Sequence, residues 1–126
     1  MKTFSRLLVA LLTLLPLSGV PTPSSAAEPA TAYVDVAVAT AWVRPGLDRP
    51  VDAPAVANPA DIRKWTADMT LAVRAALGGR LHTQALYGTP VRILERQGDW
   101  VHVAVTGQPT PRDPLCYPGW VPARQL

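Results

Sequence analysis

Residues 81–105 read LHTQALYGTPVRILERQGDWVHVAV and carry the strongest fold signal in the chain. Three runs in this stretch favour β-strands, and they cover residues 81–87, 91–96 and 100–105. Because Gly98 can adopt a positive φ, the Gln-Gly-Asp triplet predicts a tight hairpin between the last two runs. In the third run Val101, Val103 and Val105 alternate with other residues, so we expect them on the core face.

Upstream of this stretch, the sequence predicts one more strand and a loop. Residues 33–40 alternate, with Val34, Val36 and Val38 on one side, and this pattern predicts a half-buried strand that continues through Val43. The following residues, 44–57, contain three prolines and two aspartates and predict a surface loop.

Residues 58–77 predict a helical insertion. Asn58 suits the N-cap, Pro59 the first helical position and Asp61 the first turn. Apolar side chains then recur at spacings of three and four and form one stripe, which consists of Ile62, Trp65, Met69, Val73 and Leu77. Gly78 and Gly79 end the helix. Thr70 could start a second helix after a kink, so the pattern allows either one helix or two.

The C-terminal part completes a mainly β domain. Residues 106–118 hold four prolines and predict a loop, and residues 119–121 predict a short closing strand. About five short strands around one helical insertion favour a small antiparallel barrel, because closure of a strongly bent sheet removes exposed edges. A chain of 126 residues has room for one such domain.

The N-terminal residues 1–27 predict a signal peptide. Lys2 and Arg6 precede an apolar run at residues 7–17, and small residues before Glu28 fit a cleavage site. The apolar run is too short to span a bilayer. We therefore expect export, with the mature protein secreted or held in the cell envelope and free of the membrane after cleavage.

The remaining chain is nearly balanced in charge. After residue 27 it holds 10 basic and 9 acidic residues without a basic stripe, so we expect no nucleic-acid binding. Cys116 is the single cysteine, so no internal disulfide can form. We expect residues 28–32 to be a tether and residues 33–126 to be a monomeric folded domain.

Three motifs, in this order and spacing, resemble a bacterial SH3-like domain. They are TQALYGTPV at residues 83–91, GDW at residues 98–100 and YPGWVP at residues 117–122. The sequence is most similar to the N-terminal SH3-like domain of exported cell-wall endopeptidases of the NlpC type. Asn58-Pro59, the helix before Gly78-Gly79 and residues 107–113 fit the same variant, and the resemblance covers residues 33–126.

The resemblance implies an accessory role rather than catalysis. Enzymes of this family continue into a second SH3-like domain or into a papain-like catalytic domain, whereas the given sequence stops at Leu126, so we expect a truncated product, a fragment or a stand-alone module without the enzyme. We therefore expect a non-catalytic module without a cofactor that binds or positions peptidoglycan stem peptides or partners a cell-wall hydrolase domain. In the family this domain borders the active-site cleft and can restrict substrates to those with a free N-terminal L-alanine. An exported protein-interaction module is the alternative.

A third hypothesis is a self-contained cysteine peptidase that uses Cys116 with His82 or His102. A catalytic thiolate needs a lowered pKa, often from a helix N-terminus and a nearby histidine, and Pro118 argues against a helix at this point. The histidines and the cysteine also lack the close spacing of metal ligands. We therefore expect no catalytic residue and no metal ligand.

Aromatic residues are the better candidates for ligand binding. Trp65 lies in the helical stripe, and Trp100 and Trp120 lie in strands of a small barrel, so we expect all three to pack at least partly in a core. Tyr87 and Tyr117 flank turns, where a phenol ring can project into a groove while its hydroxyl stays hydrated. We predict these two tyrosines as ligand-binding residues, because aromatic faces suit a peptide or a glycan.

Overall fold

The computed structural model describes residues 26–126 and contains one six-stranded antiparallel sheet. The strands are β1 (Thr31–Tyr33), β2 (Val38–Trp42), β3 (Leu81–Leu86), β4 (Pro90–Gln97), β5 (Trp100–Val105) and β6 (Tyr117–Pro122). Their order in the sheet is β1-β4-β5-β6-β2-β3. The mainly β class with helices between β2 and β3 is therefore confirmed. The predicted signal peptide lies outside the described residues, apart from its last two positions.

One long hairpin bends sharply between its two pairs of strands. This bend, which we call the corner, brings together the two ends of the sheet, β1 and β3. Its first arm is β1 followed by β2, and its second arm is β3 followed by β4, so that β1 pairs with β4 and β2 pairs with β3. Between the two ladders, the amide of Gly88 donates to the carbonyl of Val34 at 2.8 Å. The amide of Tyr87 donates to the carbonyl of Ala37 at 3.1 Å. The pairing of the two arms therefore continues through the corner.

The corner makes the prediction of a single strand at residues 33–40 wrong. The chain leaves the β1 ladder after Tyr33 and resumes regular pairing only at Val38, because the segment between them turns the corner. Val34 and Val36 are buried as expected, but Val38 is only half-buried.

Two strands extend further than the sequence predicted. β1 begins at Thr31, inside the predicted tether of residues 28–32, because Thr31–Tyr33 pairs with β4. β6 covers Tyr117–Pro122 rather than residues 119–121, since all six of its residues pair with β5. Both differences arise from pairing with distant strands, which local sequence patterns do not show.

The inner core is built by alternation along the strands. Val101, Val103 and Val105 of β5 are buried, with at most 1% of each residue exposed, so the predicted core face is confirmed. They pack with buried residues of the other strands, among them Val91 and Val121.

Helical structure starts earlier than predicted and lies outside the barrel. A 3-10 turn at Pro50–Asp52 leads into α1 (Ala53–Val56), so the prediction of an irregular loop at residues 44–57 is wrong in part. Two further helices follow, α2 (Ile62–Asp68) and α3 (Leu71–Ala75). None of the helices within residues 26–126 is long and apolar enough to cross a membrane.

The predicted cap at Asn58 is wrong, because Asn58 forms a tertiary contact instead. Its side-chain amide donates to the carbonyl of Arg124 at 2.6 Å. The buried amide of Gln125 adds hydrogen bonds to the carbonyls of Ala55 at 2.9 Å and Ala57 at 2.7 Å. The C-terminal turn therefore anchors the helical insertion to the barrel.

Within residues 58–77 the structure has two helices in place of a single one. The carboxylate of Asp61 caps α2 by accepting the amide of Lys64 at 2.8 Å. At Met69 the backbone becomes extended, and Thr70 starts α3 by accepting the amide of Val73 on its hydroxyl at 3.3 Å. Of the two arrangements that the pattern allows, the structure has two short helices.

A second apolar core lies between these helices and the outer face of the sheet. It contains the buried residues Trp42, Trp65 and Met69, with the rings of Trp42 and Trp65 6.4 Å apart. Trp100 and Trp120 are half-buried and pack against this cluster. The expected core roles of Trp65, Trp100 and Trp120 are therefore confirmed.

Candidate functional site

The corner of the long hairpin carries an exposed apolar surface. Tyr33 ends β1, Leu86 ends β3 and Tyr87 follows it, and 61%, 66% and 71% of these residues are exposed. We call these three residues the corner surface. Exposed apolar residues that occur singly need no explanation, but a group of them on a small domain is typical of a binding site.

Backbone geometry fixes the corner surface. The hydrogen bond from the Tyr87 amide to Ala37 holds one side of the corner. Gly88 continues the turn with a φ of +76°, a conformation that residues with a β-carbon rarely adopt. Asp35 lies in the same corner segment with an exposed side chain, while its backbone amide donates to the carbonyl of Gln125 at 2.8 Å. The corner therefore combines phenol rings, an aliphatic side chain and a carboxylate.

The structure separates the two tyrosines that the sequence predicted as ligand-binding residues. Tyr87 is exposed at the corner, whereas Tyr117 is half-buried at the start of β6, opposite Val105 in the ladder. The ring of Tyr117 lies 6.0 Å from the ring of His82. Tyr87 and Tyr117 therefore do not form one aromatic cluster, and the ligand roles of both stay predictions.

Sequence reasoning missed two members of the corner surface. Tyr33 precedes the buried Val34, and Leu86 follows the buried Ala85, so alternation places both on the outward side of their strands. The sequence contained this alternation, but no local sequence pattern indicated that β1 and the end of β3 meet at one corner.

The loop after β5 is held against β3 by side-chain hydrogen bonds. Thr83 Oγ1 donates to Gln108 Oε1 at 2.6 Å, and Gln108 Nε2 donates to the carbonyl of Gln84 at 2.8 Å. At the end of this loop, Cys116 has a φ of 97°, which is unusual for a residue other than glycine. The loop therefore has a defined path from β5 to β6.

Comparison with known proteins identifies the fold. Residues 73–107 match the family model of the bacterial dipeptidyl-peptidase SH3 domain. In the crystal structure of an NlpC/P60 family protein from Bacillus cereus, 32% of the chain superimposes on 76% of this one, with a TM-score of 0.75 and 47% sequence identity. The fold is a bacterial SH3-like domain.

Two curated relatives contain the same SH3-like domain. The chain is 48% identical over 97 residues to gamma-D-glutamyl-L-lysine dipeptidyl-peptidase of Bacillus cereus, which covers 75% of this chain and 29% of that protein. It is 39% identical over 92 residues to the Bacillus subtilis protein of the same name, which covers 71% of this chain and 31% of that protein. The chain thus spans less than a third of each relative, and the match falls on their SH3 region.

In this SH3-like domain, neither imidazole is hydrogen-bonded to the thiol of Cys116. His82 places its Nδ1 3.0 Å from the carbonyl oxygen of Pro118, and His102 stacks on Trp120 with ring centroids 4.8 Å apart. Within residues 26–126 no hydrogen bond joins Cys116 Sγ to either histidine, and no group of three potential ligands could hold a metal ion. The geometry therefore offers no assembled cysteine–histidine pair.

The pKa of His102 reflects its half-buried position. Burial lowers the pKa of His102, and His82 lowers it further, while Glu95 and Asp113 act in the opposite direction. The stacking on Trp120 keeps this imidazole on the outer face of the sheet, away from the inner core. His102 thus helps to fix the orientation of the Trp120 ring.

Proposed function

We propose that this SH3-like domain is a non-catalytic module of an exported cell-wall peptidase and binds or positions peptidoglycan stem peptides with its corner surface. The observation that carries the proposal is the exposure of Tyr33, Leu86 and Tyr87 at one corner of a domain related to the SH3 region of NlpC/P60 peptidases. Rigid aromatic rings supply contact area at a low cost in side-chain entropy, which suits recognition of a flexible peptide.

The chemistry of the corner favours the amino-terminal part of a stem peptide. The exposed carboxylate of Asp35 complements a free peptide amine, and the apolar side chains of the corner surface suit a small methyl group such as that of alanine. The relatives are named for action at a gamma-D-glutamyl-L-lysine unit, and the family resemblance implies stem peptides with a free N-terminal L-alanine. A peptide of this kind carries both features.

The direct test is a titration of the purified chain with L-Ala-γ-D-Glu-L-Lys, followed by two-dimensional NMR. We expect saturable shifts at the corner, and we expect Tyr87→Ala to weaken binding at least tenfold, which corresponds to about 1.4 kcal/mol. Asp35→Asn and N-acetylation of the peptide should weaken binding to a similar extent, because each removes one partner of the same ion pair. Tyr117→Ala tests the second predicted tyrosine in the same titration.

Leu71→Ala is the matched control. Leu71 is 85% exposed on α3, so its replacement removes exposed apolar surface without altering the corner. We expect unchanged affinity in this variant. Equal weakening by Leu71→Ala and Tyr87→Ala, or shifts spread over the whole domain, would contradict a specific site at the corner.

The same surface also supports a second candidate function, an exported protein-interaction module. A group of exposed apolar residues is typical of protein interfaces as well as of ligand sites. This second function would be favoured if a hydrolase domain binds the purified chain, if Tyr87→Ala abolishes that binding, and if the tripeptide causes no shifts in its titration.

A further inference from the structure

A pocket at the opposite end of β2 from the corner surface has no part in the proposed function. It has a volume of about 580 Å³ and is lined by Arg44, Pro45, Leu47, Gln97 and Trp120. These residues come from the loop after β2, the β4–β5 hairpin and β6. Because β2 runs from the corner to this loop, the length of the strand, about 15 Å, separates the pocket from the corner surface.

The walls of the pocket are held in place by contacts outside it. Trp120 stacks on His102 and is paired with Trp42 in the sheet. The carbonyl of Leu47 accepts a hydrogen bond from Arg80 Nη1 at 3.1 Å, and the Leu47 side chain packs against the second core. Two walls are therefore preorganised, which lowers the entropic cost of binding a ligand.

Arg44 gives the pocket its charge. Its side chain is exposed and forms no ion pair or hydrogen bond with any other residue of the described part of the chain, and no acidic residue lines the pocket. A free guanidinium in an open pocket is suited to a carboxylate, which it can bind through two parallel hydrogen bonds. The electrostatic field of the pocket therefore favours an anionic group.

The other lining residues restrict the class of anion. Pro45, Leu47 and Trp120 offer apolar surface for a small aliphatic side chain, and the amide of Gln97 can both donate to and accept from a peptide group. We infer that this pocket binds the carboxyl-terminal end of a short peptide, with Arg44 on the free carboxylate and the apolar wall against a small terminal side chain. This inference does not rest on the proposed function, since it concerns a different surface.

The experiment compares acetyl-Ala-Ala with its carboxyl-terminal amide as probes of the purified chain. Binding is followed by two-dimensional NMR through the indole Nε1 signal of Trp120, assigned from its loss in Trp120→Phe. We expect saturable shifts with the acid and at least tenfold weaker binding of the amide. Arg44→Gln should weaken binding of the acid at least tenfold, whereas Arg44→Lys should retain part of the affinity, because a lysine keeps the charge but lacks the planar fork.

Arg63→Gln is the control, because Arg63 is also exposed but lies on α2, outside the pocket. The affinity of the Arg63→Gln variant for acetyl-Ala-Ala should stay within twofold of that of the unaltered chain. Equal affinity for acid and amide, equal affinity for acetate and the dipeptide, or unchanged binding by Arg44→Gln would each overturn the inference. Shifts confined to Tyr33, Leu86 and Tyr87 would also overturn it while leaving the corner proposal intact.

Discussion

The buried carboxylate of Asp52 accepts a hydrogen bond from the indole Nε1 of Trp65 at 2.8 Å. The same carboxylate accepts two hydrogen bonds from the guanidinium of Arg49, each at 2.8 Å, and one from the backbone amide of Arg49 at 2.8 Å. Arg49 also donates to the carbonyl of Val73 at 2.8 Å. One carboxylate thereby connects the start of the helical insertion with α2, and its arginine partner extends the connection to α3.

Removal of this carboxylate should destabilise the domain strongly. We expect Asp52→Ala to lower the free energy of unfolding by about 3 kcal/mol, because the indole of Trp65 and the Nε and Nη2 of Arg49 lose the carboxylate that accepts their hydrogen bonds. Urea denaturation measures the change. The exposed pair of Lys64 and Asp68 is the control, and Asp68→Asn should leave the midpoint nearly unchanged. Similar losses of stability in Asp52→Ala and Asp68→Asn would show that the buried Asp52 network stabilises the domain no more than an exposed ion pair does.

The contribution of Asp52 should depend on pH. Burial acts to raise its pKa, but the hydrogen bonds from Arg49 and Trp65 outweigh burial and hold the pKa of Asp52 below its ordinary value. A lowered pKa in the folded state gives stability that is fully present above the unfolded pKa of about 3.9. That stability is lost as the pH falls through the folded pKa.

Urea titrations from neutral pH downwards test this dependence. We expect the unaltered chain to lose stability below about pH 5, and Asp52→Asn to lose less over the same range, since it no longer carries the carboxylate. Asp68→Asn should follow the unaltered chain. Parallel curves for Asp52→Asn and the unaltered chain would contradict the assignment of this pH dependence to the Asp52 carboxylate.

Gly119 is required by a close approach of two strands. A β-carbon at this position would lie 2.6 Å from the Cβ of Ala41, although the backbone of Gly119 itself is not in a left-handed conformation. We expect Gly119→Ala to cost about 1–3 kcal/mol through overpacking, measured by chemical denaturation. In the Ala41→Gly background the same change should cost less, because the nearest atom is gone. An equal cost in both backgrounds would point to a different cause.

The two classes of aromatic residue should respond differently to truncation. Trp100 is half-buried against the second core, so Trp100→Ala should cost about 3 kcal/mol in thermal or chemical unfolding. Tyr87 is 71% exposed, so Tyr87→Ala should stay within about 0.5 kcal/mol of the unaltered chain. Stability and binding can then be separated at Tyr87. A large loss of stability in Tyr87→Ala would assign that ring to packing.

Cys116 should not support hydrolysis by this chain. Neither histidine is hydrogen-bonded to its thiol, and a cysteine peptidase needs an imidazole base within reach of the sulfur. We expect no cleaved stem peptide by mass spectrometry after long incubation of the purified chain, with or without Cys116→Ser. Turnover that disappears in Cys116→Ser would establish a small cysteine peptidase and overturn the accessory role.

Local sequence patterns were sufficient where neighbouring residues set the structure. The alternation in β5 placed Val101, Val103 and Val105 in the core, and the turn residues around Gly98 gave the β4–β5 hairpin. The ordered motifs of the C-terminal half likewise indicated an SH3-like domain. These features depend on side-chain period and on the conformations open to glycine, both of which can be read within a few residues.

Contacts between distant segments settled the remaining features. Asn58 fits a helix cap locally, but its amide donates to the carbonyl of Arg124, and the carboxylate of Asp61 caps α2 instead. The corner surface exists only because β1 and the end of β3 meet at the bend, which brings the backbones of Tyr33 and Tyr87 to the same corner. The pocket similarly joins three separate elements. Such sites form when strands pair across the chain, and local preferences carry no information about which strands will pair.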